Sequence, residues 1–169
     1  MTQQLYLLRH AEAESWNPLG NDFSRALSAS GKQHAQLLAD WAFETLSRPD
    51  TIICSPAKRT RETLSPLLAK WPRLLATTDY VDSMYNASLT MLLTLAEDAF
   101  SYSERLLMVG HNPGIAAMLV NTLQADQVAD IQSMDPGTLA VIEFPEKFNR
   151  QVRAGNLLHL IQKDHFSGD

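Results

Sequence analysis

Two arginines and two histidines in this sequence are of the types that bind and transfer a phosphoryl group. They are Arg9, His10, Arg59 and His111. Each lies at or shortly after the end of a short apolar stretch, at residues 5–8, 51–53 and 106–109. Such stretches are typical of buried strands, and the carboxyl ends of parallel strands are where open α/β sheets build their sites. The spacing therefore predicts that the four side chains meet at one edge of a sheet.

The chemistry that this set could carry is phosphoryl transfer. A guanidinium stays charged and forks onto two phosphate oxygens, so the arginines are suited to hold the transferred group. A histidine can attack phosphorus if its attacking nitrogen is unprotonated, which its usual pKa near 6.5 permits. Neighbouring arginines favour the neutral ring further. A second histidine, held protonated by the bound phosphate, can donate a hydrogen bond to an equatorial oxygen.

Strand-like and helix-like segments alternate along the chain. Strands are predicted, with the last two antiparallel, at residues 3–8, 51–54, 74–77, 105–109, 138–144 and 157–162. Helices are predicted from Ser28 to about residue 46, from Ser55-Pro56 toward Trp71, from Ser88 or Thr90 through Ala99, and from Pro113 through Leu123. Residues 11–27 are interpreted as an irregular loop, with turn residues at 17–22.

This alternation indicates an α/β fold with a mostly parallel central sheet. The length of 169 residues favours a single domain spanning residues 1–169. If the first two strands are neighbours, the helix starting at Ser55-Pro56 would direct free backbone N–H groups toward Arg9 and His10.

Composition narrows the classes of function. The net charge of −5 and the pI near 5.5 argue against a non-specific nucleic-acid binder, which would need a basic face. Cys54 is the single cysteine, so an internal disulfide framework is excluded and a reducing compartment is favoured. We see neither a signal-like segment nor a run of 18 apolar residues, so we expect a cytoplasmic protein with no membrane partner.

Other catalytic classes do not fit the spacing. A Cys-dependent phosphatase needs an arginine six positions after its cysteine, and that position after Cys54 is Thr60. No cysteine pair or pair of histidines at helical ligand spacing predicts a zinc site, and nucleotide-binding glycine loops are absent from the sequence. The remaining histidines fit no motif and are interpreted as core or surface residues; they are His34, His159 and His165.

Three segments carry a resemblance to a known family. They are LLRHAEA at residues 7–13, CSPAKRTRET at 54–63 and VGHNPG at 109–114. Taken in this order and with this spacing, they resemble the histidine phosphatase superfamily, and in a chain this short the SixA-type phosphohistidine phosphatases. The resemblance extends to RALSASG at residues 25–31, which is similar to the family's Arg-Pro-Leu-Thr-x-x-Gly segment, and to residues 85–95 and 136–138.

The resemblance implies a phosphoglycerate mutase-like fold, a three-layer α/β/α sandwich. It also implies that His10 is the phosphorylated nucleophile, that Arg9 and Arg59 hold the phosphoryl oxygens, and that His111 completes the pocket. Arg25 matches a family arginine and could contact substrate or form a structural salt bridge. No metal and no organic cofactor is implied. The implied partner is a phosphorylated protein, such as a phosphohistidine carrier domain, or a small phosphate ester.

The sequence also departs from the family pattern. Ala11 replaces the usual glycine after Arg-His, and Ala26 replaces the proline after the arginine. Larger relatives carry a carboxylate general acid before the final Gly-His; here Asp82 and Glu97 lie in that interval without the expected surroundings, and Glu12 or Asp82 could still turn inward.

A missing acid favours a phosphohistidine substrate, because imidazole is a better leaving group than an alkoxide. We therefore expect a phosphohistidine phosphatase. The alternatives are a small-molecule phosphomonoesterase of the same superfamily and a non-catalytic regulator that binds phosphate or phosphohistidine.

Overall fold

The computed structural model describes residues 2–16, 18–131 and 133–167, and it consists of strands alternating with helices. The strands are β1 (Gln3–Arg9), β2 (Thr51–Cys54), β3 (Thr78–Tyr80), β4 (Arg105–Gly110), β5 (Leu139–Phe144) and β6 (Asn156–Ile161). The helices are α1 (Ala29–Thr45), α2 (Lys58–Lys70), α3 (Leu89–Ala99) and α4 (Gly114–Thr122). Short 3-10 segments lie at Asp22–Ser24, Pro72–Thr77, Asp82–Met84, Ala125–Asp130 and Lys163–Phe166.

The described strands form one six-stranded sheet in the order β3-β2-β4-β1-β5-β6. Strands β1 to β4 run parallel to one another, whereas β5 is antiparallel to both of its neighbours, β1 and β6. The mostly parallel sheet and its antiparallel closing pair confirm the prediction. Strand β4 lies between β1 and β2, so the assumption that the first two strands are neighbours is wrong.

Helices cover both faces of the sheet, which confirms the three-layer α/β/α fold. Leu5 and Leu7 of β1 face the layer of α3 and α4, where they join the core around Leu92 and Leu119. Tyr6 and Leu8 point the other way, toward α1 and α2, as the two-residue period of a strand requires. Burial on both faces explains why the central strands are almost uniformly apolar.

Most of the predicted helix starts agree with the structure. The Ser28 hydroxyl accepts the Gly31 N–H at 3.0 Å and caps α1, and the Ser88 hydroxyl accepts the Met91 N–H at 3.3 Å and caps α3. Pro113 precedes α4. No helix in the described part of the chain combines the length and the apolar character needed to cross a membrane.

Three local predictions were wrong or imprecise. Helix α2 starts at Lys58 rather than at Ser55-Pro56, because the buried Ser55 hydroxyl contacts His111 instead of capping the helix. The segment predicted as a strand at 74–77 is 3-10 helix, and the edge strand follows it as β3. The loop of residues 11–27 contains the 3-10 segment Asp22–Ser24; of the turn predicted at 17–22, Asn17 lies outside the described residues.

Candidate active site

The predicted side chains surround one cavity of about 400 Å³ at the carboxyl edge of the sheet. Its walls include the five predicted residues, Arg9, His10, Arg25, Arg59 and His111. The ladder between β1 and β4 continues past the strand ends, where the His10 N–H donates to the Gly110 carbonyl at 3.1 Å. Strand β4 therefore sets the two histidine rings side by side, with 5.3 Å between their centroids.

A larger open cleft, of about 820 Å³, lies at the opposite edge, beside the amino ends of β1 and β4. The described residues of its wall include one arginine, Arg105, paired with Asp50 at 2.9 Å, and no histidine. The smaller cavity holds the histidines and the arginines, and we therefore assign the chemistry to it.

The His10 ring is held in one tautomer. Nδ1 lies 2.7 Å from the Ala11 carbonyl oxygen, which can only accept, so Nδ1 carries the proton and donates. Nε2 then has a free lone pair in the neutral ring. Burial lowers the pKa of His10 to about 4; it outweighs the hydrogen bond to Ala11, which raises this pKa, and three nearby arginines lower it further. The ring is therefore neutral near pH 7, with an unprotonated Nε2.

Backbone contacts fix the segment that carries this ring. The Ala11 N–H donates to the Thr63 hydroxyl of α2 at 3.0 Å, and the Gly137 N–H donates to the His10 carbonyl at 2.9 Å. Ala11 is fully buried, so its methyl group fits where the family usually has glycine. A Cβ atom at Gly31, by contrast, would overlap the Glu12 carbonyl, which accounts for the glycine at the start of α1.

Arg9 and Arg59 are each anchored through their terminal nitrogens. Arg9 Nη1 donates to the Met134 carbonyl at 2.8 Å. Arg59 Nη1 donates to the Asp22 carbonyl at 2.7 Å, and its Nη2 donates to the Asp22 carboxylate at 3.0 Å. These contacts hold the guanidinium groups in place before any ligand arrives.

Arg25 is also anchored through its terminal nitrogens. It lines the cavity and forms a salt bridge. Its Nη2 lies 3.0 Å from the Asp22 carboxylate, and its Nη1 donates to the Glu14 carbonyl at 3.3 Å. In Arg9, Arg25 and Arg59 alike, Nε is buried without a hydrogen-bond partner among the described residues. Leaving a buried donor unpaired costs about 1–3 kcal/mol. Three such donors around one cavity suit an oxyanion ligand.

His111 is positioned by Ser55. Its Nε2 lies 2.7 Å from the Ser55 hydroxyl, and when that hydroxyl is the donor Nε2 is the acceptor. Burial, followed by the charge of Arg59, lowers the pKa of His111 to about 3. The ring is thus neutral in the ligand-free protein, and with Nε2 accepting, Nδ1 carries the proton. Nδ1 is buried and has no partner in the described part of the chain.

Sequence reasoning missed Asp22, the carboxylate that joins this site together. It accepts hydrogen bonds from Arg25, Arg59 and the Tyr85 hydroxyl, the last at 2.6 Å. The Tyr85 hydrogen bond, together with the two arginines, holds the pKa of Asp22 below its usual range, so the group is ionised. Its position three residues before Arg25 could have indicated an ion pair between the two. Because the loop is rich in turn-forming residues, Asp22 was interpreted as one of them.

The acid candidates named from sequence occupy different places. Glu12 lines the cavity, but one of its oxygens accepts the Ser28 hydroxyl at 2.6 Å and the other faces Lys163 at 3.8 Å. Glu97 pairs with Arg150 on the surface of α3 at 3.2 Å. Neither Glu97 nor Asp82 is among the described residues of the cavity wall.

The structure also bears on the rival chemistries. Burial raises the pKa of the Cys54 thiol to about 12, so it is not a thiolate nucleophile. Within residues 2–16, 18–131 and 133–167, no group of histidine, cysteine or acidic side chains has the arrangement of a metal site. His34 is buried beside Gly137, and His159 and His165 lie against Trp41.

Fold and site together define an α/β protein with a cavity lined by arginines and histidines at the carboxyl edge of its sheet. The model of the histidine phosphatase superfamily (branch 1) matches residues 5–84. A structure from Agrobacterium tumefaciens, assigned as the phosphohistidine phosphatase SixA, is 30% identical with a TM-score of 0.83, over 95% of this chain and 97% of that one. A protein of Nakamurella multipartitia with the same assignment is 25% identical with a TM-score of 0.81, over 96% of each chain.

A SixA structure in complex with tungstate is 14% identical with a TM-score of 0.76, over 94% of this chain and 96% of that one, and it shares the fold. No curated protein matches the sequence. The chain belongs to the histidine phosphatase superfamily, and its structural relatives place it with the SixA-type proteins. It is a phosphatase of that superfamily.

Proposed function

We propose that this protein is a cytoplasmic phosphohistidine phosphatase that hydrolyses protein phosphohistidine through a covalent phospho-His10 intermediate. The observation that carries the proposal is the His10 ring. Its Nδ1–H donates to the Ala11 carbonyl, its Nε2 is unprotonated, and the ring lines a cavity whose wall also includes Arg9, Arg25 and Arg59. A nucleophile next to oxyanion donors is the arrangement that phosphoryl transfer needs.

In the first step, His10 Nε2 attacks phosphorus. The new P–N bond forms as the P–N bond to the substrate imidazole breaks, and the bonding electron pair leaves with the departing nitrogen. Arg9, Arg25 and Arg59 stabilise the equatorial oxygens, and His111 Nδ1–H donates to one of them. The positive charge of the phosphorylated ring is shared with Nδ1, and the Nδ1–H donates a hydrogen bond to the Ala11 carbonyl.

In the second step, water attacks the phosphorus of phospho-His10. The electron pair of the P–N bond returns to Nε2 and restores the neutral His10 ring, and the oxygen and both protons of the water leave as part of the inorganic phosphate. The same arginines serve both steps, because the charge on the oxygens is the same in each. The chain's own side chains supply each of these interactions, so we propose that no metal or organic cofactor takes part.

Two features support a phosphohistidine substrate. Of the carboxyl groups in the described cavity wall, Asp22 is ionised and Glu12 accepts the Ser28 hydroxyl. An imidazole leaves more readily than an alkoxide without an acid. The Agrobacterium tumefaciens protein, 30% identical, carries the phosphohistidine phosphatase assignment. A phosphorylated carrier protein is therefore the proposed partner, and no nucleic-acid partner is proposed.

A small phosphate ester is the second candidate, because a cavity of about 400 Å³ can also hold one. A non-catalytic phosphate-binding regulator is less well supported, since binding alone does not need the unprotonated Nε2 of His10.

The test is a parallel assay of two substrate classes. A phosphohistidine-bearing carrier domain should be dephosphorylated with a kcat/KM at least ~10²-fold above that for alkyl phosphate esters or a phosphoserine peptide. A preference of similar size for an alkyl ester would instead identify the protein as a small-molecule phosphomonoesterase. Tight phosphate binding without turnover of either class would support the regulator.

A further inference from the structure

The Asp22 carboxylate lies in the cavity wall and takes no part in either step of the proposed mechanism. It receives hydrogen bonds from three directions: from Arg25 in the same loop, from Arg59 at the start of α2, and from Tyr85 beyond the 3-10 segment Asp82–Met84. Its side chain is nevertheless 39% exposed. The carboxylate is thus fixed in position and still accessible from the mouth of the cavity.

The contacts of Asp22 orient the cavity as well as the carboxylate. Asp22 engages the terminal nitrogens of Arg25 and Arg59, which leaves the buried Nε of each arginine without a partner among the described residues. The Tyr85 ring stands edge-on to His111, with 5.4 Å between centroids, and the Arg59 guanidinium lies 5.9 Å from its centroid. A negative charge therefore lies in the wall of a cavity that also includes three arginines, Arg9, Arg25 and Arg59.

We propose that Asp22 determines which leaving group the site accepts: its negative charge keeps a proton on the departing imidazole and disfavours groups that leave as oxyanions. This inference rests on the proposed function and names the residue that adapts the site to phosphohistidine. Asp22 would thus take the place of the missing acid without itself donating a proton.

The charge balance of P–N cleavage explains the preference. If the phosphorylated ring carries a proton on its other nitrogen, the electron pair of the breaking P–N bond neutralises the ring, and neutral imidazole leaves. If that nitrogen is unprotonated, the leaving group is the much more basic imidazolate. A nearby carboxylate favours the protonated ring. With an ester, the departing oxygen gains negative charge, which the same carboxylate repels.

Asp22→Asn tests this inference on free phosphohistidine and 4-nitrophenyl phosphate, neither of which needs a docking surface. Because Asp22 also anchors Arg25 and Arg59, we expect kcat/KM to fall for both substrates, with the fall for phosphohistidine at least about tenfold larger than that for 4-nitrophenyl phosphate. Asp22→Glu, which keeps the charge, should restore most of the preference. Glu97→Gln removes one negative charge far from the cavity and is the matched control. It should leave the ratio of the two kcat/KM values, phosphohistidine to 4-nitrophenyl phosphate, unchanged.

The pH dependence adds a readout that loss of structure would not produce. In Asp22→Asn, the alkaline limb of kcat for phosphohistidine should move to lower pH, because the bound ring then loses its proton more easily. Arg25, Arg59, Tyr85 and His111 also face Asp22, and the profile for 4-nitrophenyl phosphate corrects for the titration of Tyr85 and His111.

Other outcomes would overturn the inference. Equal losses on both substrates, with an unmoved alkaline limb, would show that Asp22 only positions the arginines. Equal gains on both would show that the carboxylate merely competes with phosphate for them. The proposed function itself would fail if the wild-type protein turned over neither substrate. It would also fail if the wild-type protein and His10→Ala turned over the substrates equally well. Both results concern the wild-type protein and can be told apart from equal losses or equal gains in Asp22→Asn.

Discussion

Replacing His10 with alanine is expected to abolish turnover, with a loss in kcat of at least ~10⁴-fold. His10 supplies the Nε2 lone pair that forms the covalent bond to phosphorus, and the cavity wall offers one other histidine, His111, whose Nε2 is occupied by Ser55. The arginine donors would remain in His10→Ala, so we expect it to bind phosphate while failing to turn substrate over. Initial rates with a phosphohistidine substrate, and phosphate binding by calorimetry, measure the two effects separately.

The matched control for this change is His165→Ala. His165 is an exposed histidine in the 3-10 segment Lys163–Phe166, outside the cavity wall. Its replacement should leave kcat within about twofold of wild type, as is usual for a surface position. Equal activity in His10→Ala and His165→Ala would contradict the assignment of the nucleophile.

Arg59→Ala should have the second largest effect, a fall in kcat/KM of ~10³-fold. The Arg59 side chain is 4% exposed, is anchored by Asp22 through both terminal nitrogens, and has a buried Nε donor without a partner among the described residues. The substitution removes this donor and also leaves Asp22 without one of its two arginine partners. Arg59→Lys keeps a positive charge but not the planar fork, so its activity should fall between those of wild type and Arg59→Ala.

Arg61→Ala is the matched control, on the same helix and two positions further on. Arg61 is exposed and lies over the Tyr80 ring at 4.4 Å from its centroid, away from the cavity. We expect its kcat/KM to stay near the wild-type value in the same steady-state assay. Comparable losses in Arg59→Ala and Arg61→Ala would mean that general positive charge on α2, and not the anchored fork, supports the reaction.

Much of this arrangement could be predicted from the sequence, because it depends on local patterns. A buried parallel strand is uniformly apolar, so the ends of β1, β2 and β4 were visible, and so were the charged or titratable residues after each. Serines 28 and 88 were recognisable as caps because their hydroxyls act within a few residues of themselves. The family segments lie at these same strand ends.

The remaining features depend on contacts between distant parts of the chain. The position of β4 between β1 and β2 is set by packing across the whole sheet, and no local pattern encodes it. The Ser55 hydroxyl has the sequence features of a helix cap, but its partner is His111, which lies 56 residues away. The role of Asp22 in the site depends on hydrogen bonds from Arg59 of α2 and from Tyr85, which only the folded chain brings beside it. Its chemistry is determined by tertiary structure.

The most direct test of the central claim is to trap the intermediate. Wild-type protein mixed rapidly with a phosphohistidine substrate, and quenched in alkali within the first turnover, should carry one phosphoryl group that is labile to acid. Mass spectrometry and ³¹P NMR should place it on Nε2 of His10, the nitrogen left unprotonated by the hydrogen bond from Nδ1 to Ala11. Turnover with no phosphoryl group on the protein, or with the group on any other residue, would contradict the account.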